Sequence, residues 1–107
     1  MSREHAAQRI IQDIKSSDSR VQITGIVKDV VDTDYIILKD KTDDIKVEIK
    51  KIDFAFEKNN LINVIGELNI TMEGEKKIEA EIIQDKKNLN FDYYLKLYEI
   101  KKELKLI

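Results

Sequence analysis

The chain has 107 residues, 42% hydrophobic and 37% charged, which fits one globular domain with a single modest core. Nineteen Lys and Arg stand against 21 Asp and Glu, a formal charge of −2 that argues against a uniformly basic nucleic-acid binder but leaves local patches open. Cysteine is absent, which excludes thiolate chemistry and cysteine zinc sites; no apolar run approaches the ~20 residues of a membrane span, and the opening MSREHAAQRI lacks a signal-peptide core, so an intracellular place (cytoplasm or nucleoid) is expected.

Residues 3–15, REHAAQRIIQDIK, carry Ala7, Ile10, Ile11 and Ile14 at helical spacing. That predicts an N-terminal helix with Ser2 as its N-cap, ended by the polar run SSDS. From Arg20 the period changes. RVQITGIVKDVVD is rich in β-branched residues and roughly alternates, with Val21 and Ile23, then Ile26 or Val27, then Val30 facing one side. Gly25 inside this strand marks a bulge or sharp bend. A tight turn at Thr33 and Asp34 leads to a second strand, YIILKD, and KTDD turns the chain into a third, IKVEIK. In that third strand Ile45, Val47 and Ile49 point inward and Lys46, Glu48 and Lys50 outward.

KIDFAFEKNN, residues 51–60, breaks the alternation and reads as a loop or short helix plugging one end of a sheet. LINVIGELNITM is a fourth strand with an internal Gly66, EGEK a turn, and KIEAEIIQD a fifth strand. KKNLN leads into a C-terminal helix. The order is helix, three strands, plug, two strands, helix. Five short antiparallel strands with a bent first strand predict an all-β core, a five-stranded OB-fold barrel flanked by an N-terminal and a C-terminal helix. An SH3-like barrel is the alternative, and the element between strands three and four favours the OB-fold. The expected division is residues 1–90 for the barrel with its N-terminal helix and 91–107 for an assembly helix.

The segments SRVQITGIVKDV, IILKDKTDDIKVEI, FEKNNLINVIGELNI and NFDYYLKLYEIKKEL, in that order, resemble the archaeal replication protein A middle subunit, the class with a single OB-fold. AAQRIIQDI resembles that family's N-terminal segment, and residues 59–66, NNLINVIG, resemble its entry to strand four. The resemblance covers nearly the whole chain. It implies a subunit of a heterotrimer that binds single-stranded DNA in DNA replication and repair, with the terminal helix joining sister OB-fold subunits. The smallest subunit of the same assembly shares the barrel-plus-helix plan, and the resemblance does not separate the two. Two departures imply modest DNA contact: the loop near residues 32–34 is very short, and strand three and the final hairpin turn lack the aromatic residues that the family places against bases.

At about 100° per residue the terminal helix carries two apolar stripes. Tyr93, Leu97, Ile100, Leu104 and Ile107 are spaced 4, 3, 4 and 3 apart, a heptad seam. Phe91, Tyr94, Leu95 and Tyr98 form a shorter aromatic stripe that suits docking on the chain's own barrel. The seam is therefore the expected subunit interface. Burying ~4 such side chains at roughly 1.5–3 kcal/mol each offsets association costs. The opposing reading packs both stripes on the barrel.

An OB barrel holds single strands on the outer face of strands two and three and the flanking loops. Here Lys39, Lys46 and Lys50 are the candidates to track phosphates, Tyr35 to stack a base beside Ile37, and Lys76 and Lys77 to close the groove. The plainer reading makes these ordinary solvated lysines with Glu48 among them. His5 is the single histidine and makes neither a metal site nor a catalytic pair. Glu73 and Glu75 flank a turn glycine without a shielding pocket, and DKTDD lacks an EF-hand's spacing. Phe54, Ala55 and Phe56 either cap the barrel or form a binding wedge, and capping is favoured. No enzymatic activity, cofactor or metal is expected. The expected function is a subunit of a replication protein A-like single-stranded DNA-binding complex. The alternatives are an OB-fold protein-interaction adaptor without nucleic acid and an RNA-binding OB module.

Overall fold

The computed structural model describes residues 5–107. In chain order these form β1 (Ala7–Gln8), one 3-10 turn (Ile11–Asp13), β2 (Arg20–Val30), β3 (Tyr35–Lys39), β4 (Asp44–Glu48), β5 (Leu61–Ile70), β6 (Lys76–Asp85) and α1 (Phe91–Glu103). Strands β2 to β6 close on themselves in the order β2-β3-β4-β6-β5, because β5 pairs back to β2. The barrel is mixed rather than wholly antiparallel as expected. β4 runs parallel to β6, with Lys46 beside Lys77 and Glu48 beside Glu79. The long segment between β4 and β5 carries the chain round before β6 meets β4, so those two strands need not be hairpin neighbours.

β2 is long because it serves two partners. Its first part pairs with β5, from Arg20 opposite Glu67 to Ile26 opposite Leu61, and its second part with β3. Gly25 stands where it passes from one to the other. A Cβ there would lie 2.5 Å from the Lys39 carbonyl oxygen. A register shift between Val27 and Asp29 follows, which settles the inward residue as Val27. Gly66 does the same at a second close crossing, where β5 and β6 slip register. Val21, Ile23, Ile36, Leu38, Val47 and Ile62 are wholly buried inside the closed wall. Alternation in β4 holds as read: Ile45, Val47 and Ile49 are buried and Lys46, Glu48 and Lys50 are not.

The expected N-terminal helix is not formed over the described residues; Ser2 and its capping role lie outside them. Ala7 and Gln8 instead extend the sheet parallel to β2, and the Arg9 amide donates to the Gln22 carbonyl at 3.1 Å. The Ile11 amide donates to the buried Asp40 carboxylate at 2.6 Å. These bonds replace those of a helix. Ile10, Ile11 and Ile14 are buried, the last two within the barrel core. A 3-10 turn brings i and i+3 to one side, so the spacing that suggested a helix is met by a single turn.

Residues 51–60 contain turns and irregular chain but no helix. Ile52, Phe54 and Phe56 pack against the core, and the two phenyl rings meet edge to face with centroids 5.5 Å apart. α1 begins at its Asn90 cap, whose side chain accepts from the Tyr93 amide at 3.0 Å. It stops at Glu103, short of the expected 107. The Leu106 amide donates to the Lys101 carbonyl and the Lys105 amide to the Lys102 carbonyl, a Schellman closure with Lys105 at φ +60°. Ile107 therefore lies beyond the helix and is not part of a helical seam. No helix among the described residues is long and apolar enough to cross a membrane.

Candidate functional site

Two surfaces carry the residues singled out in the sequence. The first is the outer face of β3, β4 and β6. Tyr35, Ile37 and Lys39 alternate outward on β3, and their cross-strand partners on β4 are Glu48, Lys46 and Asp44. The parallel pairing then sets Lys77 beside Lys46. Like charges side by side repel, and two contacts relieve the pair. Lys46 Nζ lies over the Tyr35 ring, 4.1 Å from its centroid. Lys77 Nζ donates to Glu48 at 2.6 Å, a contact that raises the lysine's pKa and keeps its charge engaged within the chain.

Other cations near this face are also engaged. Lys28 pairs with Asp44 at 2.5 Å, and Lys51 pairs with Glu79. Hydrogen bonding to these carboxylates raises both lysine pKa values. Lys76 Nζ donates to the Ile14 carbonyl at 2.8 Å, so it ties the N-terminal segment down while lining the groove. Lys39 and Lys50 are exposed and have no ion-pair partner among the described residues. A groove of about 510 Å³ runs along the face, with Lys28, Lys46 and Lys76 set against Asp29, Asp44 and Glu75. Its charge is balanced rather than basic.

The structure thus brings Tyr35, Ile37, Lys39, Lys46 and Lys77 onto one face. It places Lys50 beyond the end of β4 and gives Lys76 a second, internal partner. Lys28, Asp29 and Asp44 were missed as groove residues. Lys28 belongs to the face only because β2 leaves β5 for β3 at Gly25, and nothing in the local sequence states that pairing.

The second surface is α1. The helix is fastened by one side. Tyr98 is buried and donates to the Asp13 carboxylate at 2.9 Å; Lys102 reaches the same carboxylate at 2.9 Å. Burial, then the hydrogen bond to Asp13, pushes the Tyr98 phenol up to about 12. For Asp13, burial alone would raise the pKa, but hydrogen bonds from Lys102 and Tyr98 outweigh it and hold the carboxyl below its ordinary value. Tyr94 accepts from Gln8 Nε2 at 3.0 Å and stacks near Phe91, while Asp92 pairs with Lys41. The helix therefore docks on the N-terminal segment and the β3–β4 turn. On the opposite side Tyr93, Leu97, Ile100 and Leu104 remain exposed, Ile100 by 52% and Leu104 by 63%.

Among the described residues no cluster of His, Asp and Glu could hold a metal ion. No protein-family model matches the chain, and no curated protein sequence matches it. Solved structures do. A chain of the S. pombe Stn1–Ten1 complex is similar with a TM-score of 0.78 at 14% identity, over 95% of this chain and 96% of that one. The telomere capping protein Ten1 of S. pombe is similar with a TM-score of 0.74 at 15% identity, over 92% of this chain and 99% of that one. A chain of a replication protein A heterotrimer bound to single-stranded DNA is similar with a TM-score of 0.58 at 14% identity, over 81% of this chain and 73% of that one. At such identities the likeness establishes the fold, an OB-type barrel followed by a helix.

Proposed function

We propose that this chain is an OB-fold subunit of a single-stranded DNA-binding complex, and that α1 joins it to a sister OB-fold subunit. The observation that carries the reading is the two-sided helix. One side is consumed by Tyr98, Tyr94 and Lys102 in docking, and the other exposes Tyr93, Leu97, Ile100 and Leu104 in a row. An ordered apolar face of this kind suits helix-to-helix packing. Similarity to chains of the Stn1–Ten1 complex, over 95% of this chain, and of a replication protein A heterotrimer, over 81% of it, supports the reading. Whether the chain corresponds to an archaeal middle or smallest subunit is a finer assignment that rests on the motifs read in the sequence.

In this reading the barrel face makes a modest contact. Lys39, Lys46 and Lys50 meet phosphates, and Tyr35 stacks a base once Lys46 swings from its ring. Most of the strand's affinity then belongs to the sister subunit, and linkage of the two barrels supplies avidity. The competing reading, an adaptor without nucleic acid, is favoured by the ion pairs that occupy Lys28, Lys51 and Lys77.

Two experiments test the proposal. Isolated from its own cells, the tagged chain should bring down an OB-fold protein in stoichiometric amount, and Leu97→Asp with Ile100→Asp should release it. Recovery of the wild-type chain as a lone monomer would defeat the assembly reading. Fluorescence anisotropy with a labelled ~20-nucleotide single strand should show weak binding that fades steeply with salt. Absence of binding at low salt selects the adaptor.

A further inference from the structure

A separate groove lies at the end of the barrel between the β2–β3 turn and the segment after β4. Its volume is about 590 Å³, larger than the groove on the barrel face. Val30, Ile52, Phe54 and Phe56 form its apolar floor, and Asp32 and Asp53 stand on its rim; no Lys or Arg lines it. Such a lining repels a polyanion, so the groove is ill suited to nucleic acid.

The chain that borders the groove is strand-like yet unpaired. Along residues 51–56 burial alternates at every position: Lys51, Asp53 and Ala55 are exposed, and Ile52, Phe54 and Phe56 are half-buried. This is the period of a β-strand with one face on the core. Residues 53–56 nevertheless join no strand ladder and make no backbone–backbone hydrogen bond among the described residues. Backbone groups of this kind are a template for a further strand. The opposite wall is held rigid: the Asp32 carboxylate accepts from the Asp34 amide at 2.7 Å, and the Ile49 amide donates to the Asp34 carbonyl at 2.8 Å.

We propose that this groove binds an extended partner peptide carrying apolar side chains flanked by Lys or Arg. The peptide adds as a strand along residues 53–56. Its apolar side chains fill the space over Val30, Ile52 and Phe54, and its cations meet Asp32 and Asp53. Backbone pairing supplies affinity, while the alternate side chains and the acidic rim supply specificity. The site is distinct from both surfaces above, so it stands or falls independently of DNA binding and of α1.

The test is selection from an unbiased library of ten-residue peptides displayed against the whole folded chain, followed by nuclear magnetic resonance with the selected peptide. The expected consensus is basic and apolar, and the amides that shift are those of residues 30–34 and 52–56. Asp32→Asn, which keeps an oxygen to accept from the Asp34 amide, with Asp53→Lys should weaken binding on the order of tenfold or more while the urea midpoint stays near that of the parent. If that variant fails to fold, Asp32→Asn with Asp53→Asn should give a smaller loss in the same direction. Peptides N-methylated at alternate residues distinguish strand addition from side-chain insertion: one of the two sets must lose binding and the other keep it. No enrichment, an acidic consensus, equal tolerance of both methylated sets, or shifts confined to α1 or to the face of Tyr35 and Lys46 would overturn the proposal. So would a single-stranded oligonucleotide that shifts residues 52–56 in place of a peptide.

Discussion

Gly66 and Gly25 show how single positions close the barrel. At Gly66 a Cβ would lie 2.2 Å from the Glu79 carbonyl oxygen and 2.8 Å from Ile78 Cγ2. The carbonyl belongs to a paired strand and cannot swing aside. Gly66→Ala should therefore cost about 3 kcal/mol, the upper part of the range for overpacking, whereas Gly74→Ala, with φ +85° in open space, should cost only about 1 kcal/mol of backbone strain. Urea midpoints of the two variants check the order. Asp13 carries a pH dependence. Its carboxyl is held below its ordinary value in the folded chain, so near pH ~4 the unfolded chain binds more protons and folding is penalised by acid. The stabilisation is full above the unfolded value and is lost as pH falls through the folded one. Asp13→Asn should be less stable than the parent at neutral pH, and the gap should narrow in acid; a gap independent of pH would contradict this. Tyr98 carries the opposite dependence: its stabilisation is lost as pH rises from 10 toward about 12.

Among the elements, α1 is the one with least of its surface committed. It owes its start to Asn90 and its end to Lys105, which takes a left-handed φ of +60° without being glycine. Lys105→Gly relieves that strain and should strengthen the helix end by roughly 0.5–1 kcal/mol, seen as a rise in helical circular dichroism and reduced amide exchange in the last turn. One buried carboxylate is among the contacts that hold the N-terminal segment. Asp40 is fully buried and accepts from the Ile11 amide, the Thr42 amide and the Thr42 hydroxyl. Asp40→Ala leaves the buried Ile11 amide without a partner, while the exposed Thr42 can turn to water, and should cost about 1–3 kcal/mol. Amide exchange should rise first at residues 10–14, and helix docking should loosen with it, because Asp13 anchors Tyr98 and Lys102.

At the scale of the whole molecule, folding stability and the proposed subunit contact reside in different places. Leu97 and Ile100 are exposed by 39% and 52%, so Leu97→Asp with Ile100→Asp should change the folding stability of the isolated chain by no more than about 0.5 kcal/mol per site while removing the proposed subunit assembly. A large loss of stability in the isolated chain would mean that this side packs on the barrel after all. Phosphate contact has its own signature. If Lys39 and Lys50 each meet one phosphate, Lys39→Gln with Lys50→Gln should reduce the slope of log affinity against log salt by about 1.4, at ~0.7 per contact on a single strand. An unchanged slope would exclude those two lysines from the contact.

The barrel strands were legible because each carries its inward residues at period two, and because Gly25 and Gly66 interrupt runs of β-branched residues where a bend is required. The aromatic stripe of α1 was legible for the same kind of reason: Tyr94 and Tyr98 lie four residues apart and end on one side, and both do meet the N-terminal segment. The predicted helix does not form over the described residues because Ile11 and Ile14, three apart, share a side on a 3-10 turn as they do on a helix; the choice was made by Asp40, 29 residues beyond Ile11, and by the open edge of β2. The end of α1 was misread because no glycine announces it. Candidate lysines on an outward strand face were readable from alternation, but which of them retain a free charge was not. That depended on the parallel pairing of β4 with β6, which sets Lys77 against Glu48 and turns Lys46 onto Tyr35. The amino-acid order determined which side chains face in and which face out, because periodicity is a property of the local backbone. Only the closed barrel decided which outward charges meet, because strand neighbours and their register are long-range choices.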